Sequence, residues 1–191
     1  NNIAALDLGT GEATAWDPGA DGPVRALATS SAGIYAGGAF ANIGGLPRNR
    51  VALIGRNSAQ ALAWNPNVSG GTPAVETILA ADDQIYIGGL FQTVGGTARP
   101  NLAAVNLSSG QLTTFNAAIP NGQAVAALAR SGDTLYVGGL FGSIGGQARL
   151  RIARLRTRRH GADFDEAEAE RCQAVDICTV LVKPGGQADR I

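Results

Sequence analysis

The sequence predicts an all-β protein, a β-propeller of four-stranded blades of about fifty residues, because one phrase recurs three times. In each copy a Tyr-x-Gly-Gly-x-Phe segment is followed by a hydrophobic-Gly-Gly triplet and then by an arginine. The copies begin 51 and then 50 residues apart, at Tyr35, Tyr86 and Tyr136. A fixed period of short strands and glycine turns is typical of propeller blades. The chain is therefore predicted to hold about three full blades and a divergent C-terminal segment.

Each repeat contains four candidate strands. The first strand is apolar, and its copies are residues 3–6, 51–54, 102–105 and 152–155. The second ends in an aromatic residue, which is Trp16, Trp64 or Phe115. The third strands are residues 24–29, 75–80 and 125–130, and the Tyr-x-Gly-Gly segment is the fourth. The turns between them are so short that neighbouring strands are expected to run antiparallel.

The recurring glycines and aromatic residues are predicted to form core rather than a ligand site. Strands converge toward the axis of a propeller, and glycine lets one sheet approach the next where a Cβ would clash. Trp16, Trp64 and Phe115 occupy one position of the repeat, so each is expected to be buried between adjacent sheets.

The blades are predicted to occupy residues 1–155, with repeats at about 2–50, 51–101 and 102–151. Residues 156–191 are denser in charge and lack the Tyr-x-Gly-Gly strand. Asp163 and Glu166 have the spacing of a capping box, so a short helix is expected over residues 164–174, and a strand over 178–182. Either this tail is a divergent cap, as terminal repeats often are, or the reading frame shifts after Leu155. The nucleotide sequence of the gene would decide between these alternatives.

Composition excludes several classes of function. The formal net charge is zero, which predicts no nucleic-acid partner, and no apolar run approaches the ~18 residues of a membrane helix. His160 is the only histidine, so a multi-histidine metal site and a Ser-His-Asp triad elsewhere in the chain are excluded. Cys172 and Cys178 do not make a disulfide framework and leave the redox compartment open.

Arginines are the main candidate ligand-binding residues. Arg48, Arg99 and Arg149 follow the Gly-Gly triplets at the repeat period, so they are expected to form an arc on one face. Guanidinium groups there could bind an anionic glycan, or each could bond to carbonyls of the next blade, which we favour. Further arginines that could bind such a ligand follow Arg149 in the sequence: Arg156, Arg158 and Arg159. Acidic residues lie just downstream, which favours ion pairs between these arginines and the acidic residues instead of ligand binding.

One acidic pair is a weak candidate for calcium. Asp82 and Asp83 are adjacent in a predicted turn, but they lack the Asp-x-Asp-x-Asp-Gly spacing of a calcium loop. Turn chemistry explains them without a metal. The sequence otherwise predicts no cofactor.

The repeats resemble two families of propellers. Residues 135–139, Leu-Tyr-Val-Gly-Gly, look like the diglycine strand of kelch repeats. The longer pattern, from Tyr-x-Gly-Gly-x-Phe through the second Gly-Gly and the arginine to Trp-Asn-Pro, resembles the delta-60-type propeller repeats of bacterial secreted or surface proteins. The latter resemblance covers residues 2–155 and implies a fold but no catalytic motif. Residues 6–16 are similar to the docking motif of quinoprotein-type propellers, but later copies lose Asp7 and Thr10, so no quinone cofactor is predicted.

The expected function is a non-catalytic one. The sequence favours a propeller scaffold that binds glycan or protein in a bacterial secreted or surface protein, with self-association as one way to close the ring. The alternative is a fragment of a propeller enzyme, carbohydrate-active or oxidoreductase, whose catalytic residues lie outside this chain. Asn1 opens almost directly on a repeat, which is typical of a chain processed or excised from a longer one.

Overall fold

The computed structural model describes residues 2–71, 73–158 and 161–163. Within these ranges the chain forms strands and no helix, so the described residues contain no helix that is long and apolar enough to cross a membrane. The strands are β1 (Val24–Ser30), β2 (Gly33–Gly38), β3 (Asn42–Ile43), β4 (Leu46–Pro47), β5 (Val51–Ile54), β6 (Val68–Ser69), β7 (Ala74–Ala81), β8 (Gln84–Leu90), β9 (Thr93–Val94), β10 (Thr97–Ala98), β11 (Leu102–Asn106), β12 (Leu112–Asn116), β13 (Ala124–Ser131), β14 (Thr134–Leu140), β15 (Ser143–Ile144), β16 (Gln147–Ala148), β17 (Ile152–Arg158) and β18 (Gly161–Asp163). The helix and strand predicted after residue 163 lie outside the described residues, as do Arg159, His160, Cys172 and Cys178.

Three antiparallel sheets follow one another along the chain. Sheet 1 has the order β1-β2-β5, sheet 2 the order β7-β8-β11-β12, and sheet 3 the order β13-β14-β17-β18. Each sheet takes its first two strands from the end of one sequence repeat and the others from the start of the next. The repeats and the sheets are therefore offset by two strands.

The strand that ends in the aromatic residue forms fully only where no proline follows it. In sheet 2 this strand is β12, and Ala117 comes after it. In the segments that end at Trp16 and Trp64 it is reduced to single bridges, Leu6–Ala13 and Ile54–Ala61. Prolines follow both segments, and a proline restricts the residue before it and removes an N–H donor.

Hydrophobic side chains between consecutive sheets form the core. The front face of each sheet carries the tyrosine of its Tyr-x-Gly-Gly strand, and the back faces of sheets 2 and 3 pack on the sheet before them. Between sheets 1 and 2 the rings of Tyr35 and Trp64 meet edge to face, with centroids 5.0 Å apart. Between sheets 2 and 3 Tyr86 and Phe115 make the same contact at 5.5 Å. Trp64 is buried as predicted, whereas Trp16 and Phe115 are only partly buried.

In sheets 1 and 2 the first glycine of the Tyr-x-Gly-Gly strand lies against the next sheet. A Cβ on Gly37 would lie 2.5 Å from Val75 Cγ1, and a Cβ on Gly88 would lie 2.6 Å from Val125 Cγ1. Such distances are far inside van der Waals contact, so only glycine fits. The predicted reason for these glycines, close approach of one sheet to the next, is confirmed at both positions.

The second glycine of the pair faces a bulge in its own sheet. The register of the third and fourth strands slips by one residue near Val24, Val75 and Val125. At Gly89 a Cβ would lie 2.1 Å from the carbonyl oxygen of Ala74. The bulge therefore needs glycine on the opposing strand.

The Gly-Gly of each triplet forms a tight hairpin turn. Both glycines have positive φ in every copy, for example 61° at Gly44 and 76° at Gly45. Two consecutive residues with positive φ define a type I′ turn, whose twist suits a two-residue β-hairpin. The three hairpins are β3–β4, β9–β10 and β15–β16.

Candidate functional site

The strand register separates the molecule into two ends with different loops. In sheet 2, Ala74 pairs with Leu90 at one end and Ala81 pairs with Gln84 at the other. We call the first the hairpin end, because the three type I′ hairpins and the longer connections between sheets lie there. We call the second the turn end, because it carries the short turns at Asp82–Asp83 and their equivalents. The candidate residues divide between these ends.

Two of the three predicted arc arginines bind carbonyls of their own sheet at the hairpin end. Arg48 Nη2 donates to the carbonyl of Leu62 at 2.7 Å, and Arg99 Nη1 donates to the carbonyl of Thr113 at 3.2 Å. Leu62 and Thr113 occupy the same position of the repeat. Arg99 also donates to the carbonyl of Phe115. Each contact crosses from one sequence repeat into the next, yet it stays within one sheet because the sheets are offset from the repeats.

The side chain of Arg99 is half-buried at the hairpin end. Burial lowers the pKa of Arg99 below its ordinary value, although the group stays a cation at physiological pH. The Nε atoms of both Arg48 and Arg99 are buried without a hydrogen-bond partner. Their guanidinium groups therefore hold the hairpin against the outer strand.

Arg149 shares one bond with Arg48. Its Nη1 donates to the carbonyl of the preceding Ala148 at 2.7 Å, as Arg48 Nη1 does to that of Pro47 at 2.8 Å, and among the described residues it makes no side-chain bond to an outer strand. The sequence cluster that begins at Arg149 is also divided, because β17 runs from the hairpin end to the turn end. Arg156 pairs with Thr134 and Arg158 with Gly161 in the backbone ladder, and at ~3.3 Å per residue they lie roughly 20 Å and roughly 30 Å along the chain from Arg149. Ligand binding by any of these arginines stays a prediction.

The acidic pair Asp82–Asp83 lies at the turn end, away from the arc arginines. Arg130 of sheet 3 donates to Asp82 Oδ2 at 2.6 Å, and this hydrogen bond raises the pKa of Arg130. A second intersheet ion pair joins Arg25 of sheet 1 to Glu76 of sheet 2. Among the described residues no group of three or more His, Cys, Asp or Glu side chains comes together, and calcium binding by Asp82 and Asp83 stays a prediction.

Other carboxylates bind their own backbone. The Asp7 carboxylate accepts hydrogen bonds from the N–H groups of Thr10 and Gly9 and from the Thr10 hydroxyl, and these bonds lower the pKa of Asp7. Asn106, at the same position of a later repeat, accepts the equivalent bonds from Ser108 and Ser109. The docking-like motif is thus a turn cap in this chain.

The carboxylate of Asp21 accepts hydrogen bonds from residues at the hairpin end. Hydrogen bonds from the Asn42 N–H, the Asn42 side chain and the Ala41 N–H lower the pKa of Asp21. Asp21 thereby ties the connection before β1 to the first hairpin.

Sequence reasoning missed a repeated residue at the start of the first strand of each repeat. Arg50, Asn101 and Arg151 have φ of 67°, 67° and 69°, a left-handed conformation that is uncommon for side chains other than glycine. Arg50 Nε donates to the carbonyl of Pro73 at 3.0 Å, and Asn101 Nδ2 donates to that of Pro120 at 2.6 Å. In the first two copies this position therefore joins the hairpin to the connection that leads into the next sheet. A polar residue just before each apolar strand was the only signal in the sequence.

A cleft of about 450 Å³ lies between the Trp64 segment and sheet 2. Its lining is Asn65, Pro66, Val94, Gly95, Thr97, Gly110, Gln111 and Leu112. None of these side chains is titratable, so the cleft offers amide, hydroxyl and backbone groups for hydrogen bonding.

The repeated sheets, hairpins and bulges define an all-β repeat protein, and comparison with known proteins identifies the kind of repeat. Residues 133–157 match the model of a β-propeller domain of unknown function, DUF5122. The match covers β14, the third hairpin and most of β17. The chain therefore carries a β-propeller repeat.

One solved structure supports the same fold. The crystal structure of the computationally designed Ika8 protein is similar over 78% of this chain, with a TM-score of 0.52 and 20% sequence identity. The chain spans 42% of the length of that protein. The similarity to the designed Ika4 protein is weaker, with a TM-score of 0.36 and 13% identity over 73% of this chain and 94% of that protein. No curated protein is similar to this chain at a significant level.

Substituting Arg99 with glutamine is expected to lower the free energy of unfolding by about 1.5 kcal/mol, because two carbonyls lose a charged donor. Arg149→Gln is the matched control and is expected to change it by less than about 0.5 kcal/mol, the range of ordinary surface changes. Urea denaturation measures both. Equal costs in the two variants would show that the carbonyl bonds of Arg99 add no stability.

Proposed function

We propose that this protein is a non-catalytic propeller scaffold that binds a glycan or a protein through its hairpin end. In this proposal the sheets are four-stranded blades of the kelch-like, delta-60 type, about three in this chain. The protein acts in a bacterial secreted or surface setting. The β-propeller repeat is the support for the scaffold, and the loops of the hairpin end are the support for the binding face.

The observation that carries the proposal is a constant backbone with variable exposed side chains. All three hairpins are closed by the same hydrogen bond, from the N–H of the arginine to a backbone carbonyl before the hairpin. The bonds are Arg48 to Ala41 at 2.8 Å, Arg99 to Gln92 at 3.0 Å and Arg149 to Gly142 at 3.0 Å. The residue after each Gly-Gly is exposed and is different in every copy: Leu46, Thr97 and Gln147. A rigid frame that displays varied side chains on loops is how β scaffolds recognise ligands.

The arc arginines and the hairpin tips (Leu46, Thr97 and Gln147) have different roles in this proposal. The guanidinium groups of Arg48 and Arg99 are engaged with the carbonyls of their own sheets, so their first role is to fix the hairpins. The tips then supply the contacts with the ligand. An anionic glycan would still be attracted by the positive charge beneath them.

A hairpin-tip variant tests the proposal. The chain would be assayed by biolayer interferometry against dextran, dextran sulfate and polygalacturonate, as neutral, sulfated and carboxylated glycans. We expect at least one to bind, and the triple variant Leu46→Ser, Thr97→Ala, Gln147→Ala to weaken that binding at least tenfold. The control variant Glu12→Ala, Asn57→Ala changes exposed residues of the turn end and should bind as the unaltered chain does.

Two results would contradict parts of the proposal. Binding that the turn-end variant loses and the tip variant keeps would rule out the hairpin end as the site. If none of the three glycans binds, the proposal of a glycan ligand is contradicted, and a protein is the ligand that the proposal retains.

A further inference from the structure

The cleft beside sheet 2 exists because the second hairpin, β9–β10, stands away from the outer strand of its sheet. In sheet 1 the first hairpin closes directly on the outer segment: the N–H of Ala61 donates to the carbonyl of Gly44 at 2.9 Å, and a Cβ on Gly44 would lie 2.2 Å from the Ala61 nitrogen. Gly95 and Leu112 are the same positions in sheet 2. Both are described, and no backbone hydrogen bond joins them. Around Gly95 the nearest atom to a built Cβ is the carbonyl oxygen of Pro66, at 3.7 Å.

A longer connection in the second repeat holds this hairpin in its open position. The segment from the aromatic residue to the third strand is residues 64–75 in the second copy and only residues 16–24 in the first. The added length forms β6, which pairs with β9. The N–H of Gly95 therefore bonds to the carbonyl of Asn67 at 3.1 Å, one residue later in the repeat than the carbonyl that serves the first hairpin.

Side-chain size at the start of the outer strand acts in the same direction. In sheet 1 the Cβ of Ala61 lies only 2.9 Å from where a Cβ of Gly44 would be, so the hairpin and the outer segment leave no space between them. Leu112 is larger than alanine, so an equal approach in sheet 2 would crowd its side chain against the hairpin. The cleft is therefore built into the second repeat by its length and by its sequence.

Uncharged polar groups and aliphatic surface line this cleft. The amides of Asn65 and Gln111 and the hydroxyl of Thr97 belong to exposed side chains, and in the described part of the chain none of the three makes a hydrogen bond. Aliphatic surface comes from Val94, which is buried, and from Leu112, which is half-buried. Amides and hydroxyls both donate and accept, as the hydroxyl groups of a sugar do. An ionised ligand would find no opposite charge in this lining to offset the water that it loses.

The edge of β12 beside the cleft is already occupied. Arg99 Nη1 donates to the carbonyl of Thr113 at 3.2 Å and also to the carbonyl of Phe115. A peptide that bound by adding a strand to this edge would need such carbonyls as acceptors. The guanidinium of Arg99 takes them, so a sugar suits the cleft better than an extended peptide.

We propose that this cleft binds an uncharged glycan, with Asn65, Thr97 and Gln111 as hydrogen-bond partners of its hydroxyl groups. The volume of about 450 Å³ lies within the range of about 300–1,000 Å³ that is typical of small-ligand sites. This inference rests on the proposed function, because it names the class of glycan and adds a cleft to the hairpin tips. Thr97 belongs to both, so a longer glycan extends from the cleft over the tip of the second hairpin.

The first test removes two of the polar contacts. The full chain is titrated with maltotriose, cellotriose and mannotriose by isothermal titration calorimetry, and we expect at least one of these neutral trisaccharides to bind. The double variant Asn65→Ala, Gln111→Ala is expected to weaken that binding at least tenfold, because both amides lose their contacts with the sugar. Gln60→Ala is the matched control, since Gln60 has the position of Gln111 in sheet 1, where the hairpin is closed. It should bind as the unaltered chain does.

The second test fills the cleft. Thr97→Trp places an indole ring in it and is expected to weaken trisaccharide binding at least tenfold. Leu46→Trp makes the same change at the equivalent position of the first hairpin and should leave the binding unchanged. Both residues are exposed and lie in short strands, β10 and β4, so both variants are expected to fold. Circular dichroism and the melting temperature check this.

The outcomes separate the cleft from the proposed function. Loss of binding in both cleft variants, with the Gln60→Ala and Leu46→Trp controls unchanged, supports the cleft. Trisaccharide binding that survives both cleft variants would overturn it, and so would the absence of binding to all three trisaccharides. In either case the proposed function would stand, because it is contradicted by a different result: loss of polymer binding in the turn-end variant and not in the tip variant.

Discussion

Replacing Trp64 with alanine is expected to lower the free energy of unfolding by about 3–5 kcal/mol. Trp64 is 3% exposed and packs edge to face on Tyr35. Its Nε1 also donates to Asn106 of sheet 2. The substitution therefore opens a cavity between sheets 1 and 2 and leaves a carbonyl without its donor. Urea denaturation with a tryptophan-independent signal, such as far-ultraviolet circular dichroism, measures the loss.

Phe115→Ala is the matched control for Trp64→Ala. Phe115 has the same position in the repeat and a similar contact with Tyr86, but it is only partly buried and its ring makes no hydrogen bond. Its substitution is expected to cost less than half as much. A cost below about 1 kcal/mol for Trp64→Ala would contradict burial of that side chain between sheets.

Replacing Gly89 with alanine is expected to destabilise the fold by roughly 3 kcal/mol, at the upper end of the cost of overpacking. The added Cβ would lie 2.1 Å from the Ala74 carbonyl oxygen and 3.1 Å from the Glu76 nitrogen. Both atoms are backbone in the neighbouring strand, so no side-chain rotation relieves the clash. The bulge near Val75 must shift instead, and β7 carries contacts to sheets on both sides.

Gly142→Ala shows what a methyl group costs where there is space. It is expected to change stability by no more than about 0.5 kcal/mol, because no atom lies within 4 Å of its Cβ. Thermal unfolding followed by circular dichroism compares the two variants. If the Gly89→Ala and Gly142→Ala variants had the same melting temperature, the close contact between β8 and the bulge of β7 would be contradicted.

The repeat made the fold predictable. A spacing near fifty residues, short apolar strands and paired glycines predicted an all-β propeller, and the described residues are all-β with a β-propeller repeat. Both glycines of the pair were predicted to let one sheet approach the next. Gly37 and Gly88, the first of their pairs, confirm that role, whereas the second glycine Gly89 faces a bulge in its own sheet. Repetition supplies several independent copies of each local signal, so the noise of a single segment is averaged out.

Features set by one residue against another sheet were not predictable. The left-handed backbone of Arg50 and Asn101 recurs with the same bond from the backbone N–H to the carbonyl of Phe40 or Phe91, and neither residue type prefers that conformation as glycine does. Partial burial of Trp16 depends on which strands lie beside it, which composition does not encode. The offset of repeats and sheets likewise depends on strand pairing beyond the repeat boundary.

The candidate site was predictable in part. The period placed Arg48 and Arg99 at equivalent points on their sheets, and the carbonyl bonds follow from that equivalence. The density of arginines after residue 148 suggested one charged patch, but β17 carries them from one end of the sheet to the other. Charges that are close in sequence lie far apart in space when they are on an extended strand, so the density of charge along the sequence did not predict a patch.

The offset between repeats and sheets has a consequence for how such a chain can grow and fold. No single repeat contains a whole sheet, so a repeat cannot fold alone, and each sheet forms only when two successive repeats have been synthesised. Excision of residues 51–101 would nevertheless leave β1 and β2 followed directly by an equivalent of β5, and an intact sheet would reform across the junction. Duplication or loss of one repeat is therefore expected to leave whole sheets, although it brings together two sheet faces that were not neighbours before, and this gives the fold a route to change its number of blades during evolution.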